Sequence, residues 1–106
     1  MRDEIINGIV SGLNLPPVVA QKLLNQYLVT LPKDMEQLKE NIVKEDFPAA
    51  AKVAHSIKGA SGNLRITKIF ELTGELEQVL KAAQEGCGEK ANVLFGELDE
   101  IMKKLM

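Results

Sequence analysis

The sequence has no tryptophan, one tyrosine, one histidine and one cysteine, and aromatic residues make up only 4% of it. Its net charge is only -2. A basic stripe interleaved with aromatic rings is therefore absent, which argues against a nucleic-acid surface. The lone thiol, Cys87, cannot close an internal disulfide, so a reducing compartment is indicated. One histidine and one distant cysteine are too few for a metal site. No apolar run approaches the ~20 residues of a membrane span. The opening stretch MRDEIINGIV carries acids and lacks the apolar centre of a signal peptide. These absences together point to a cytoplasmic location, with neither nucleic acid nor membrane as partner.

What is present is ordinary for a globular chain: 45% hydrophobic and 26% charged residues over 106 positions. That length supports one core and implies a single domain over residues 1–106. Apolar residues recur at helical spacing nearly throughout. Ile5, Ile6, Ile9, Val10 and Leu13 mark a short first helix. Pro16 and Pro17 suit the first turn of a second, which runs to about Lys44 and is kinked, or else divided in two, at Pro32. Asp46 is placed to cap a third helix whose core stripe is Phe47, Ala50, Ala54, Ile57, Ser61 and Leu64. A fourth carries Ile66, Ile69, Thr73, Leu76, Leu80 and Ala83. The stretch EGCGE reads as a loop, with Cys87 exposed in it, before a last helix from Ala91 to Leu105. Met35 and Met102 read as core fillers, and Met1 and Met106 as terminal residues. No alternating pattern marks a strand. The fold expected is all-α, an antiparallel four-helix bundle with a short additional N-terminal helix.

One stretch departs from good helix sequence. Residues 54–64 read AHSIKGASGNL, placing the only histidine beside two glycines. Each glycine inside a helix weakens it by roughly 0.8–1 kcal/mol relative to alanine. His55 lies about 100° off the core stripe, on a face shared with Ala51, Lys58, Gly59 and Gly62. A strip of small residues beside an exposed imidazole reads as a docking surface. Neutral imidazole is a nucleophile, and Lys58 one turn on places an ammonium beside any anion joined to the ring. Ser61 and Asn63 add polar groups near the helix end. On the next helix, Glu77 or Glu75 is placed to accept a hydrogen bond from the second ring nitrogen.

His55, Lys58, Gly59, Ser61, Asn63 and Leu64 together resemble the signature of histidine-containing phosphotransfer domains, the phosphoryl carriers of two-component phosphorelays. The lead-in LNLPPVVAQKLLNQYLVTLPKDMEQL and the later ELTGELEQVLKAAQEG are also similar to that family. The resemblance implies a helical bundle whose His55 takes a phosphoryl group from the aspartyl phosphate of a response-regulator receiver domain and passes it on. It implies Lys58 as the stabilising charge, and a receiver or hybrid sensor histidine kinase as partner. The Mg²⁺ would be bound by the receiver, and the chain would need no cofactor of its own and would not itself be an enzyme. Where the family usually has glycine after the leucine, Arg65 stands here. Either the turn is built differently, or Arg65 adds positive charge near the phosphoryl site.

The contrasting reading is a helical module that binds a receiver or kinase without transferring anything. Such a module would be expected to lose the histidine or the lysine, and both are present. A serine–histidine hydrolase has no support, because Ser56 adjoins His55 in sequence but does not face it.

Overall fold

The structure, a computed structural model, describes residues 2–105, so Met1 and Met106 lie outside the described residues. Five α-helices and no strand are found among the described residues: α1 (Arg2–Leu13), α2 (Pro17–Val43), α3 (Phe47–Asn63), α4 (Thr67–Ala82) and α5 (Cys87–Leu105). Four of them close a ring, α2 packing on α3, α3 on α4, α4 on α5 and α5 back on α2. Short turns make successive helices antiparallel. The 27 residues of α2 span about 40 Å, most of the 46 Å long axis of the molecule. The other bundle helices have 16 to 19 residues, so α2 outreaches them. The short α1 packs on α2.

Local chemistry accounts for the helix ends. Pro17 begins α2, where a missing N–H leaves no bond unmade. Pro32 lies inside α2, yet the helix continues past it as one element. Leu28, Leu31 and Met35 around it are all buried, so packing offsets the bond that proline cannot donate. At the start of α3 the Ala49 N–H donates to the Asp46 side chain at 3.3 Å. Asn14, Glu45, Arg65 and Ala83, with φ of 54°, 59°, 61° and 46°, occupy the left-handed region just after α1, α2, α3 and α4. That conformation stops a helix, and a β-carbon makes it unfavourable.

The core follows the apolar stripes. Leu24, Leu38, Ile57, Ile69, Leu76, Leu80 and Leu98 are almost wholly buried. Each such side chain stabilises by roughly 1.5–3 kcal/mol through burial. Met35 is buried and Met102 half-buried against this core. Two expectations fail near the α4–α5 connection. Ala83 leaves the core stripe and becomes the exposed left-handed cap of α4. Cys87 opens α5 instead of sitting in an exposed loop; it is buried, and its Sγ–H donates to the Val79 carbonyl at 3.2 Å. The glycines flanking it gave the loop reading, but only Gly86, at φ 80°, lies in the turn.

Ser61 is fully buried, and its single hydroxyl proton goes to the Ile57 carbonyl at 2.7 Å. The Tyr27 hydroxyl, 2.7 Å from Ser61 Oγ, is therefore the donor between the two. Burial pushes the Tyr27 phenol up to about 12, so it keeps its proton. This bond ties α2 to α3 inside the core. Removing Ser61 strands a buried hydroxyl, whereas removing the Tyr27 hydroxyl strands nothing. Ser61→Ala should cost about 1–3 kcal/mol and Tyr27→Phe about 1 kcal/mol, with the double variant less damaged than the sum. Urea denaturation of the four proteins measures this.

Candidate functional site

The site forms where the middle of α3 faces the second half of α4. α3 brings His55 and Lys58, and α4 brings Glu77 and, one turn on, Lys81. Glu77 is buried, with its side chain only 6% exposed, while the His55 side chain is 71% exposed. His55 Nδ1 lies 2.9 Å from Glu77 Oε2. The same oxygen is 3.1 Å from Lys81 Nζ, and Oε1 is 3.5 Å from Lys58 Nζ.

Burial pushes the Glu77 carboxyl upward, but hydrogen bonds and charge from Lys81 and His55 outweigh it and hold the group below its ordinary value. Glu77 is accordingly an anion near neutral pH and can only accept. Nδ1 must then carry the proton in this bond. In neutral imidazole that leaves Nε2 with its lone pair free. The ring is thus gripped at one nitrogen while the other is left available on an exposed side chain.

The remaining residues singled out in the sequence fall into separate places. Glu77, rather than the exposed Glu75, partners His55. Gly59 is open, with nothing within 4 Å of where a β-carbon would stand. Gly62 differs: its β-carbon would meet the Phe70 ring at 3.0 Å. It admits a neighbouring side chain and is not part of a bare strip. Ala51 is buried at 4% exposure, and it lines a hollow of about 500 Å³ that reaches His55 between α3 and α4. Ser61 faces the core toward Tyr27 and away from His55. Asn63 is exposed at the last residue of α3.

Arg65 does not join the histidine. It lies ten positions further along, roughly 15 Å at helical rise. Its side chain packs where Gly12 leaves room, 3.1 Å from the position of a β-carbon there. The α3–α4 turn keeps the left-handed conformation that glycine favours, with arginine adopting it at φ 61°.

Sequence reading missed Lys81 and Phe70. Lys81 was visible as the lysine four residues after a glutamate on one helix face. Phe70 carried no such signal. Its ring centroid lies 5.6 Å from Lys58 Nζ. Among the described residues no group of three or more His, Cys, Asp or Glu is placed to hold a metal ion, and no helix is long and apolar enough to cross a membrane.

A family model described as Hpt domain matches residues 22–105, and the chain belongs to that family. Its members are helical bundles that serve as phosphoryl carriers, working with receiver domains and kinases in two-component relays. Comparison with curated proteins and with solved structures found no match.

The carboxylate chemistry has a consequence for acid stability. Because the folded-state pKa of Glu77 is lowered, its contribution is fully present above the unfolded carboxyl value of ~4.3 and is lost as pH falls through the folded one. Glu77→Gln should therefore lower the urea midpoint at pH 7, and the gap to wild type should narrow on acidification below about pH 4. A gap independent of pH would show that ionised Glu77 adds nothing.

Proposed function

We propose that this chain carries a phosphoryl group on His55 Nε2, taking it from the aspartyl phosphate of one receiver domain and delivering it to another. The observation that carries the reading is the 2.9 Å contact between His55 Nδ1 and a buried Glu77 carboxylate on an otherwise exposed ring. In the transfer, the Nε2 lone pair forms a bond to phosphorus as the phosphorus–oxygen bond to the receiver aspartate breaks. The electron pair leaves on the aspartate carboxylate. The ring gains positive charge, which the Glu77 carboxylate faces across the Nδ1 proton. Return transfer reverses each change.

Lys58 places its ammonium on the face of α3 that His55 shares, where it offsets the phosphoryl charge as a point charge. Such transfers depend mainly on alignment and charge stabilisation. The receiver supplies Mg²⁺ and its own acidic groups. The hollow beside His55 provides the docking face: exposed Pro48 and Ala83 offer apolar surface above the buried Ala51 and Leu80, and Lys52 and Lys81 add positive charge. That lining suits an apolar patch edged with carboxylates.

The test is transfer from a receiver charged with radiolabelled phosphate in Mg²⁺. Wild type should take up a label that acid removes and alkali leaves, and His55→Gln should take up none. Receivers that bind the chain but never label it, across a broad panel, would overturn the reading in favour of a binding module without transfer.

The open space at Gly59 gives a second test. Gly59→Leu should fold and gain up to about 1 kcal/mol from helix propensity, because no neighbour is displaced. It should nonetheless lose transfer from receivers, since the new side chain stands beside the histidine face. Normal transfer by this variant would remove Gly59 from the docking surface.

A further inference from the structure

α3 and α4 meet along a ladder of three rungs. His55 faces Glu77 through the Nδ1 contact. Lys58 crosses Gly74, where a β-carbon would stand 3.8 Å from Lys58 Cε and 3.9 Å from Cδ. Gly62 faces Phe70, where a β-carbon on the glycine would come to 3.0 Å from the ring. Each step up α3 is matched by an equal step down α4, as antiparallel helices require. The α4 members recur at i, i+4 and i+7, a single strip of that helix. Lys58 lies across the middle of it, with Nζ 3.5 Å from Glu77 Oε1 and 5.6 Å from the Phe70 ring centroid.

Glu77 alone is a weak anchor for this lysine. Its other oxygen already accepts from His55 at 2.9 Å and Lys81 at 3.1 Å, and the Lys58 contact is the longest of the three. A free lysine also has much rotamer freedom to lose on being fixed. The ring adds a second attraction from the other end of the strip. An ammonium within about 6 Å of an aromatic centroid is drawn to the electron-rich face. Gly62 makes room for the ring, and the lysine stem passes over Gly74 at ordinary contact distance.

We propose that Phe70 is a positioning residue for Lys58, holding the ammonium on the histidine face before any phosphoryl group arrives. The inference rests on the reading of His55 as nucleophile and Lys58 as its companion charge. Ordering the lysine in advance removes that step from the transfer itself. The second glycine of the AHSIKGASGNL stretch then serves the lysine through Phe70.

Phosphoramidate tests this without a receiver. His55 Nε2 bonds to phosphorus while the donor's phosphorus–nitrogen bond breaks and its electron pair leaves with ammonia. Phosphorylation rates are measured by mass spectrometry for wild type, Phe70→Leu, Lys58→Met and the double variant. Phe70→Leu should slow the reaction by about two- to five-fold, the rate equivalent of one exposed cation–π contact. It should cause no further slowing in the Lys58→Met background. In NMR spectra the Lys58 Cε protons should be shifted by the ring in wild type, return to ordinary positions in Phe70→Leu, and stay shifted in Phe70→Tyr. Should Phe70→Leu fail to fold, Gly74→Leu displaces the stem from the middle rung and must show the same dependence on Lys58. An unchanged rate and Lys58 resonance in Phe70→Leu, or equal slowing with and without Lys58, overturns the proposal. If wild type accepts no phosphoryl group, the parent reading of His55 fails, and the Lys58 resonance alone decides the positioning.

Discussion

A single buried carboxylate organises the functional face of this protein. Burying an unpaired charge is strongly unfavourable, so Glu77 requires partners. Those partners are His55 and Lys58 from α3 and Lys81 from its own helix. The requirement works in both directions. Lys81 and the His55 Nδ1–H keep Glu77 ionised, and the ionised carboxylate holds the imidazole with Nδ1 protonated. Helix spacing, ring orientation and tautomer are thereby linked through one group.

The rest of the bundle keeps that group in place. α3 and α4 share the closest packing in the fold. Ile57 and Leu76 bury beneath the exposed face, so His55 and Glu77 ride on well-anchored turns of their helices. The Tyr27–Ser61 bond joins α2 to the far half of α3. A motif of modest helix-forming strength therefore sits on a rigid base. The weak residues lie at its surface and the strong packing lies below.

Much of this arrangement was legible in the sequence because its signals are local. The helices are visible in three- and four-residue apolar steps, and the Asp46 cap in its position before Phe47-Pro48. His55, Lys58 and Gly59 stand within one and a half turns of each other, so their shared face follows from helix geometry alone. The choice of Glu77 over Glu75 depends on the register between two helices, which no local pattern states. Gly62 was read as part of a bare strip because the phenylalanine opposite it comes from another helix. Arg65 and Ala83 adopt left-handed backbone conformations that composition does not favour, so neither helix end carried its usual glycine marker. Cys87 was misplaced for the opposite reason, since glycines on both sides made a helix start resemble a loop.

The antiparallel ladder also sets which changes of chain length the protein can tolerate. One residue inserted between Phe70 and Glu77 turns everything beyond it by about 100° around the α4 axis. The phenylalanine or the glutamate would then leave the shared strip, although no residue of the motif had been altered. A length change among Gln84, Glu85 and Gly86 carries no such penalty, because that connection lies beyond the last rung. Among related sequences, gaps should gather at the α4–α5 connection and be absent from the two facing segments. The spacing between these residues then matters to the shared face as much as their identities.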